Sequence, residues 1–305
     1  MKLLLFVIVG TVGLSSGAVA ADMDVRDLIN KDVSKQAQAA AELRKNREAA
    51  LPALLSALDA PEPELRAKSA RLLKELKSPD SFKLLAAKAV SDTDWHVRQE
   101  AISAVGRFKH AEVEAVLRRA LKDAAPQNRI AAARLLSFRS RTKALPELKL
   151  LLADEDKAVR LTAAREMGRH GDRSALPIAR DGLRDADWRV RAAACDAIGT
   201  NGDTTSRALL DKIAADKSEK PAVRLAALQA QHQIDLNGKS SATEQVDFLE
   251  QSLGDPVGGV RAWAAFELAR RAEPKALAIL KRTGQDNHAL GQREAEFALR
   301  SREGP

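Results

Sequence analysis

Three aspartate pairs with one intervening residue, Asp92/Asp94, Asp154/Asp156 and Asp185/Asp187, are the first candidates for chemistry, since carboxylates are the ligands of Ca²⁺. No twelve-residue calcium loop closed by Glu follows any of them. Their recurrence at one place in a repeating pattern assigns one Asp of each pair to a turn and the other to a helix cap. The five histidines, His96, His110, His170, His232 and His288, form neither a His-x-x-x-His nor a His-Glu-x-x-His pattern, so zinc hydrolysis has no support. Cys195, the single cysteine, sits on an apolar helical stripe and reads as a buried, inert thiol. One cysteine also excludes a disulfide framework and a Cys-based zinc site. Gly238-Lys239-Ser240 looks like the end of a phosphate-binding loop, but Gln233 stands where the earlier glycine is required. No serine nucleophile elbow is present. No catalytic residue, no metal and no cofactor are expected, and the chain reads as non-enzymatic.

Arginine supplies a stronger pattern. Arg66, Arg98, Arg129, Arg160, Arg191, Arg224, Arg261 and Arg293 recur every 31 to 33 residues, apart from one interval of 37. An Asp precedes each of them: Asp59, Asp92, Asp123, Asp154, Asp185, Asp216, Asp255 and Asp286. Eight arginines could bind an anion. Their presence in every repeat favours a structural role, because a site would need one or two. Trp95 and Trp188 share the position after the second Asp and could stack on a sugar or a base. Lys157 interrupts that series, so packing over the turn is expected instead.

The elements that position these residues follow from the period. Each unit reads as helix A, a short Asp-containing turn, helix B and a loop. Helix B carries an apolar stripe at helical spacing, as in Val190, Ala194, Cys195 and Ile198. Asp94, Asp156 and Asp187 fall where its N-cap is wanted. Gly106, Gly168 and Gly199 fall near its end, where glycine commonly stops a helix. Ala-Leu-Pro opens helix A at 50–52, 144–146 and 175–177, with Pro in the first turn. The stretch 235–244 lengthens one connection and could hinge the last two repeats.

The segments Asp154-Glu-Asp-Lys-Ala-Val-Arg160 and Asp185-Ala-Asp-Trp-Arg-Val-Arg191, each followed by an Ala-rich helix with Gly, carry a family resemblance. They resemble the HEAT repeats, in particular the short-repeat group named after phycobilisome lyases. The resemblance covers about residues 33–303. It implies an all-α, right-handed α-solenoid of about eight HEAT-like helix pairs, with a partial N-terminal capping unit at Ser34 to Arg44. It also implies a ladder in which the turn Asp and the helix B Arg bond between neighbouring units. In such solenoids the side of helix B opposite the apolar stripe tends to line the concave surface. Five residues beyond the ladder arginine stand Arg71, Ser103, Arg134, Arg165, Asp196 and Gln229. Nine beyond it stand Glu75, Arg107, Phe138, Arg169, Thr200, Gln233 and Arg270. Arg71, Arg107, Arg134, Arg165 and Arg169 would then form a basic partner-binding strip across repeats two to five, extended at one edge by Arg139, Arg141 and Lys143 and ended by Asp196.

The start of the chain reads as an address. Met1-Lys2, the apolar run Leu3 to Leu14 and Ala18-Val19-Ala20 fit a secretory signal peptide over residues 1–20, leaving a repeat domain at 21–303. Periplasmic localisation is expected, with secretion as the alternative. The run is too short to span a membrane, and no later segment is apolar enough. The chain has 305 residues, 3% aromatics, no Tyr and a formal net charge of +8. Such a composition excludes a sandwich or barrel core built on β-branched and aromatic residues. The function read from these features is an exported scaffold that assists assembly or maturation by holding a protein or acidic peptide segment on a partly basic concave face. A polyanion binder is the alternative, although the lack of an aromatic platform argues against single-stranded nucleic acid. A lyase-type chaperone is what the family resemblance alone would imply. The repeats are silent on oligomeric state.

Overall fold

The computed structural model describes residues 24–76, 78–237, 242–286 and 290–303. The expected signal peptide, the Gly238-Lys239-Ser240 segment and His288 lie outside the described residues. Among the described residues every regular element is helical. The chain divides into two compact units, up to Ala132 and from Ala133 onward.

The first unit opens with a short 3₁₀ turn and α1 (Val33–Lys45), the expected capping helix. Helix pairs follow: α2 (Arg47–Ala57) with α3 (Pro63–Leu76), α4 (Phe82–Ser91) with α5 (Trp95–Val105), and α6 (Val113–Ala120) with α7 (Pro126–Ser140). The division between units falls inside α7. The second unit continues with α8 (Leu145–Leu150) and α9 (Lys157–Arg169), α10 (Leu176–Gly182) and α11 (Trp188–Asn201), and α12 (Arg207–Ala215) and α13 (Pro221–Asn237). It closes with α14 (Ala242–Ser252) and α15 (Gly258–Ala269), then α16 (Pro274–Gln285) and α17 (Gln292–Glu303). These are the eight pairs that the arginine period predicts. Helix thus covers both ends of the 235–244 stretch.

Local chemistry explains the boundaries. The Asp94, Asp156 and Asp187 carboxylates accept hydrogen bonds from the first amides of α5, α9 and α11, as N-caps should. Pro146 and Pro177 stand in the first turns of α8 and α10, but α2 begins at Arg47 and encloses Pro52. The expected glycine stops are corrected in two places. Gly168 and Gly199 lie inside α9 and α11, and α11 ends instead on Gly202, whose left-handed backbone (φ 62°) lets its amide cap Ile198 and Gly199. Gly199 serves packing. A Cβ there would lie 2.6 Å from the Ala230 Cα on α13. Gly199→Ala gains about 1 kcal/mol of helix propensity. It must push two backbones apart, at about 1–3 kcal/mol of overpacking. A net loss of up to about 2 kcal/mol is expected in urea unfolding, with Gly254→Ala, whose Cβ meets nothing closer than 3.5 Å, near neutral.

The core is aliphatic and runs from repeat to repeat. In the second unit Leu161, Ala194, Cys195, Ile198, Leu210, Val223, Ala227 and Val260 share one buried cluster. Small alanines let α11 pack against both α9 and α13. The ladder ties the same edge. In the first unit the Arg66 guanidinium donates to both Asp92 oxygens at 2.8 and 2.9 Å, and Arg98 donates to Asp123 at 2.6 and 2.7 Å. The remaining Nη1 of each reaches back to carbonyls of its own turn, Ala60 and Pro61 or Asp92 and Thr93. Each receiving Asp also accepts the amide two residues on, so one carboxylate fixes its turn and the neighbouring repeat together.

Three rungs of the second unit differ from the sequence expectation. Arg191 donates to Glu219 rather than Asp216, and Arg261 donates to Glu294. Asp216 is occupied by Ser218, and the longer Glu219 reaches across. Arg224 keeps the expected bond to Asp255 at 2.6 Å. At Arg160 the bonds go to its own turn, while Asp185 accepts from Lys157.

Candidate functional site

The five arginines of the expected strip fall in both units. In the first, Arg71 on α3 is ion-paired with Glu100, its Nε 3.1 Å from Glu100 Oε1. Arg107 is exposed just past the Gly106 cap of α5.

In the second unit the helix register brings three of them together. Arg134 comes from α7, Arg165 and Arg169 from α9. Arg165 is fixed: Nη1 donates to Asp196 Oδ2 and Nη2 to Glu166 Oε1, both at 2.6 Å, and its side chain is only 15% exposed. Glu166 is buried and accepts a second bond at 2.9 Å from the Ser137 hydroxyl of α7. Ser137 in turn lies 2.9 Å from His170 Nε2. A hydroxyl has one proton, so Ser137 donates it to the carboxylate and accepts from His170, which places the imidazole proton on Nε2. Serine, histidine and glutamate therefore meet at a buried serine, not in the order that activates a nucleophile. Their effect is to hold Glu166 against Arg165.

Arg169 and Arg134 are left to solvent. Arg169 is half exposed, with its Nε 3.7 Å from Glu166. Arg134 is exposed, yet crowding by protein and then the positive charge of Arg165 push its pKa down. Three guanidiniums face two carboxylates, Glu166 and Asp196. A surplus cation that is partly desolvated and beside like charge gains most from an incoming anion.

Beyond Asp196 the same register turns polar and then apolar. Gln229 and Gln233 of α13 line a cleft of about 580 Å³ with Trp263 and Arg270 of α15. Arg270 also borders a second cleft of about 590 Å³ between α15 and α17, floored by alanines and flanked by Phe266 and Phe297. These two phenylalanines are 55% and 73% exposed. Sequence reasoning ended the face at Asp196; carrying the offset of five two repeats further gives Phe266. Phe297 is one residue out of that register, and no offset rule would find it.

The other candidates resolve into structure. The first Asp of each pair accepts the amide of the second and so fixes its turn, and the second caps helix B; no group of three or more metal-ligating residues forms among the described residues. Trp188 packs against the second unit's core, whereas Trp95 is 46% exposed. Cys195 is fully buried, and that burial raises its thiol pKa to about 12. It should stay unreactive toward Ellman's reagent at pH 8 and titrate with one equivalent on unfolding. No helix among the described residues is long and apolar enough to cross a membrane.

The family model described as HEAT repeats matches residues 82–156 and 145–231. None of the curated proteins matches the sequence. Among solved structures, Kap121p is similar with TM-score 0.54 and 14% identity, over 90% of this chain and 32% of that one. This chain therefore spans about a third of Kap121p. YibA of E. coli is similar with TM-score 0.50 and 21% identity, over 89% of this chain and 99% of that one. The complex of CpcE and CpcF of phycocyanin lyase from Nostoc sp. PCC7120 gives TM-score 0.49 and 21% identity, over 81% and 99%.

Proposed function

Since the chain is a HEAT-repeat protein, we propose that it is an exported, non-enzymatic scaffold that holds a protein partner on the arginine face of its second unit. The observation that carries this reading is the contrast between Arg165, locked by Glu166 and Asp196, and Arg134 and Arg169, presented to solvent beside it. A locked cation between two open ones makes a rigid positive platform for carboxylates. A likeness of fold supports a binding role: Kap121p has been solved bound to Pho4p, with TM-score 0.53 and 14% identity to this chain. Export rests on the sequence of residues 1–20 and makes the partner an exported protein or an envelope component.

The test is affinity capture from a periplasmic extract, with Arg134→Glu/Arg169→Glu beside the unchanged chain. Arg165 is left alone, because its replacement would leave the buried Glu166 carboxylate without its cation. Lys83→Glu/Lys109→Glu makes the same charge change at exposed lysines of the first unit. A defined protein retained by the chain and by the lysine variant, but reduced about tenfold or more by the arginine variant, is expected. Equal retention by both variants would remove the arginine face as the site. Only salt-sensitive anionic polymer, lost between low and moderate salt, would replace a protein partner with a polyanion.

A further inference from the structure

The scaffold reading leaves the chemistry of the partner open, and the second unit narrows it. One helix register passes from cations through amides to an apolar cleft. At one end Arg134 and Arg169 offer positive charge. In the middle Gln229 and Gln233 line the cleft between α13 and α15. At the other end Phe266 and Phe297 flank an alanine-floored cleft of about 590 Å³, room for two or three large apolar side chains. Arg270 lines both clefts, so the amide region and the apolar region adjoin.

We propose that this face takes an extended peptide segment of the partner that is acidic at one end and apolar or aromatic at the other. The proposal rests on the scaffold reading and adds the partner's pattern. Carboxylates meet Arg134 and Arg169, the glutamine amides meet peptide N–H and C=O groups, and the apolar side chain fills the cleft beside Phe266 and Phe297. A side-chain amide offers both a donor and an acceptor, which is what an extended backbone needs and what a purely basic or purely apolar face lacks. The occupant is amphiphilic because neither end suffices. Exposed ion pairs contribute about 0–1 kcal/mol each. One buried apolar side chain contributes about 1.5–3 kcal/mol.

The spacing follows from helix packing. From α9 to α15 there are three helix-to-helix steps, and from α7 to α17 five. At ~8–10 Å per step, these three to five steps put the charged and apolar groups roughly 25–50 Å apart. An extended chain rises ~3.3 Å per residue, so the acidic and apolar groups stand about eight to fifteen residues apart.

The experiment is selection of displayed random 16-residue peptides on the full mature chain, repeated on Arg134→Glu/Arg169→Glu and on Phe266→Ser/Phe297→Ser. Circular dichroism of both variants establishes that they fold. All four side chains are exposed or half exposed, so intact folding is expected. The expected result is enriched peptides pairing acidic residues with Phe, Leu or Trp about eight to fifteen positions away. Individual peptides should lose about tenfold or more in affinity with either variant. Enriched peptides that are lost with the arginine variant but carry no apolar group at that spacing, and bind the phenylalanine variant normally, overturn this pattern and leave the scaffold reading standing. Peptides indifferent to both variants, or none enriched, overturn the scaffold reading at this face as well.

Discussion

Asp92→Ala is expected to cost the first unit about 3–5 kcal/mol, the range for breaking a buried pair and leaving one charge without its partner. The Asp92 side chain is 3% exposed and that of Arg66 11%. Asp92 does three jobs. It accepts two bonds from Arg66, it accepts the Asp94 amide, and it lies 3.6 Å from Lys88. Removing it strands a guanidinium between two repeats and frees the turn that starts α5. Arg66→Met together with Asp92→Ala should lose less than the sum of the single changes, since neither charge is then buried alone. Urea unfolding of the two singles and the double would measure the difference. In a repeat array the loss should also split the transition, because stability is set interface by interface. Equal losses for the double and the sum would deny that the rung acts as a unit.

The same rung carries a pH signature. Burial works to raise the Asp92 pKa, but the Arg66 bonds, the Asp94 amide and the charges of Arg66 and Lys88 outweigh it, so the folded value lies below the ordinary 3.8. A carboxylate with a depressed folded pKa contributes stability that is full above its unfolded value and is lost as pH falls through the folded one. The advantage of the unchanged chain over Asp92→Asn should be constant between pH 7 and 5. It should shrink only below about pH 3.8.

The period of Arg66, Arg98 and their successors made the helix pairs legible, because each arginine is fixed by a geometric demand that every repeat shares. Asp94, Asp156 and Asp187 were legible as caps for the same reason: an N-cap is a local requirement, met within two or three residues. What depends on the neighbouring repeat was less legible. Gly168 and Gly199 read as stops, yet they are contacts with Asn201 and Ala230, residues one repeat away. Glu219 was hidden because a longer side chain three residues on can replace the turn Asp, and only the distance between repeats shows which one reaches. The candidate site divides the same way. Its arginines follow from the register of helix B, whereas the pairing of Arg71 with Glu100 and of Arg165 with Asp196 and Glu166 depends on which residue the next helix presents.

Glu166→Gln should act on stability and on binding in opposite directions. The two Glu166 oxygens are used differently, Oε1 accepting from Arg165 and Oε2 from Ser137. An amide nitrogen turned toward Arg165 loses that bond, and one turned toward Ser137 must donate to the hydroxyl, whose proton then goes to His170. With Arg165 15% and Glu166 4% exposed, the loss should approach the roughly 3–5 kcal/mol of a broken buried pair, less what Asp196 still supplies to Arg165. The charge of the arginine cluster meanwhile rises by one unit against an incoming carboxylate. At ~10 Å and an effective dielectric of about 20, that is about 1.7 kcal/mol, or roughly fifteenfold in affinity at low salt. At about 0.15 M ionic strength the Debye length is near 8 Å, and most of the gain should vanish. Thermal unfolding, together with titration of an acidic peptide at two salt concentrations, would separate the effects. Arg134→Gln gives the converse, weaker binding at little cost in stability, because relief of the Arg134–Arg165 repulsion offsets any lost contact. If Glu166→Gln weakened binding at both salts while the fold stayed intact, Glu166 would be contributing to the partner directly rather than restraining Arg165, and the charge account of the face would fail.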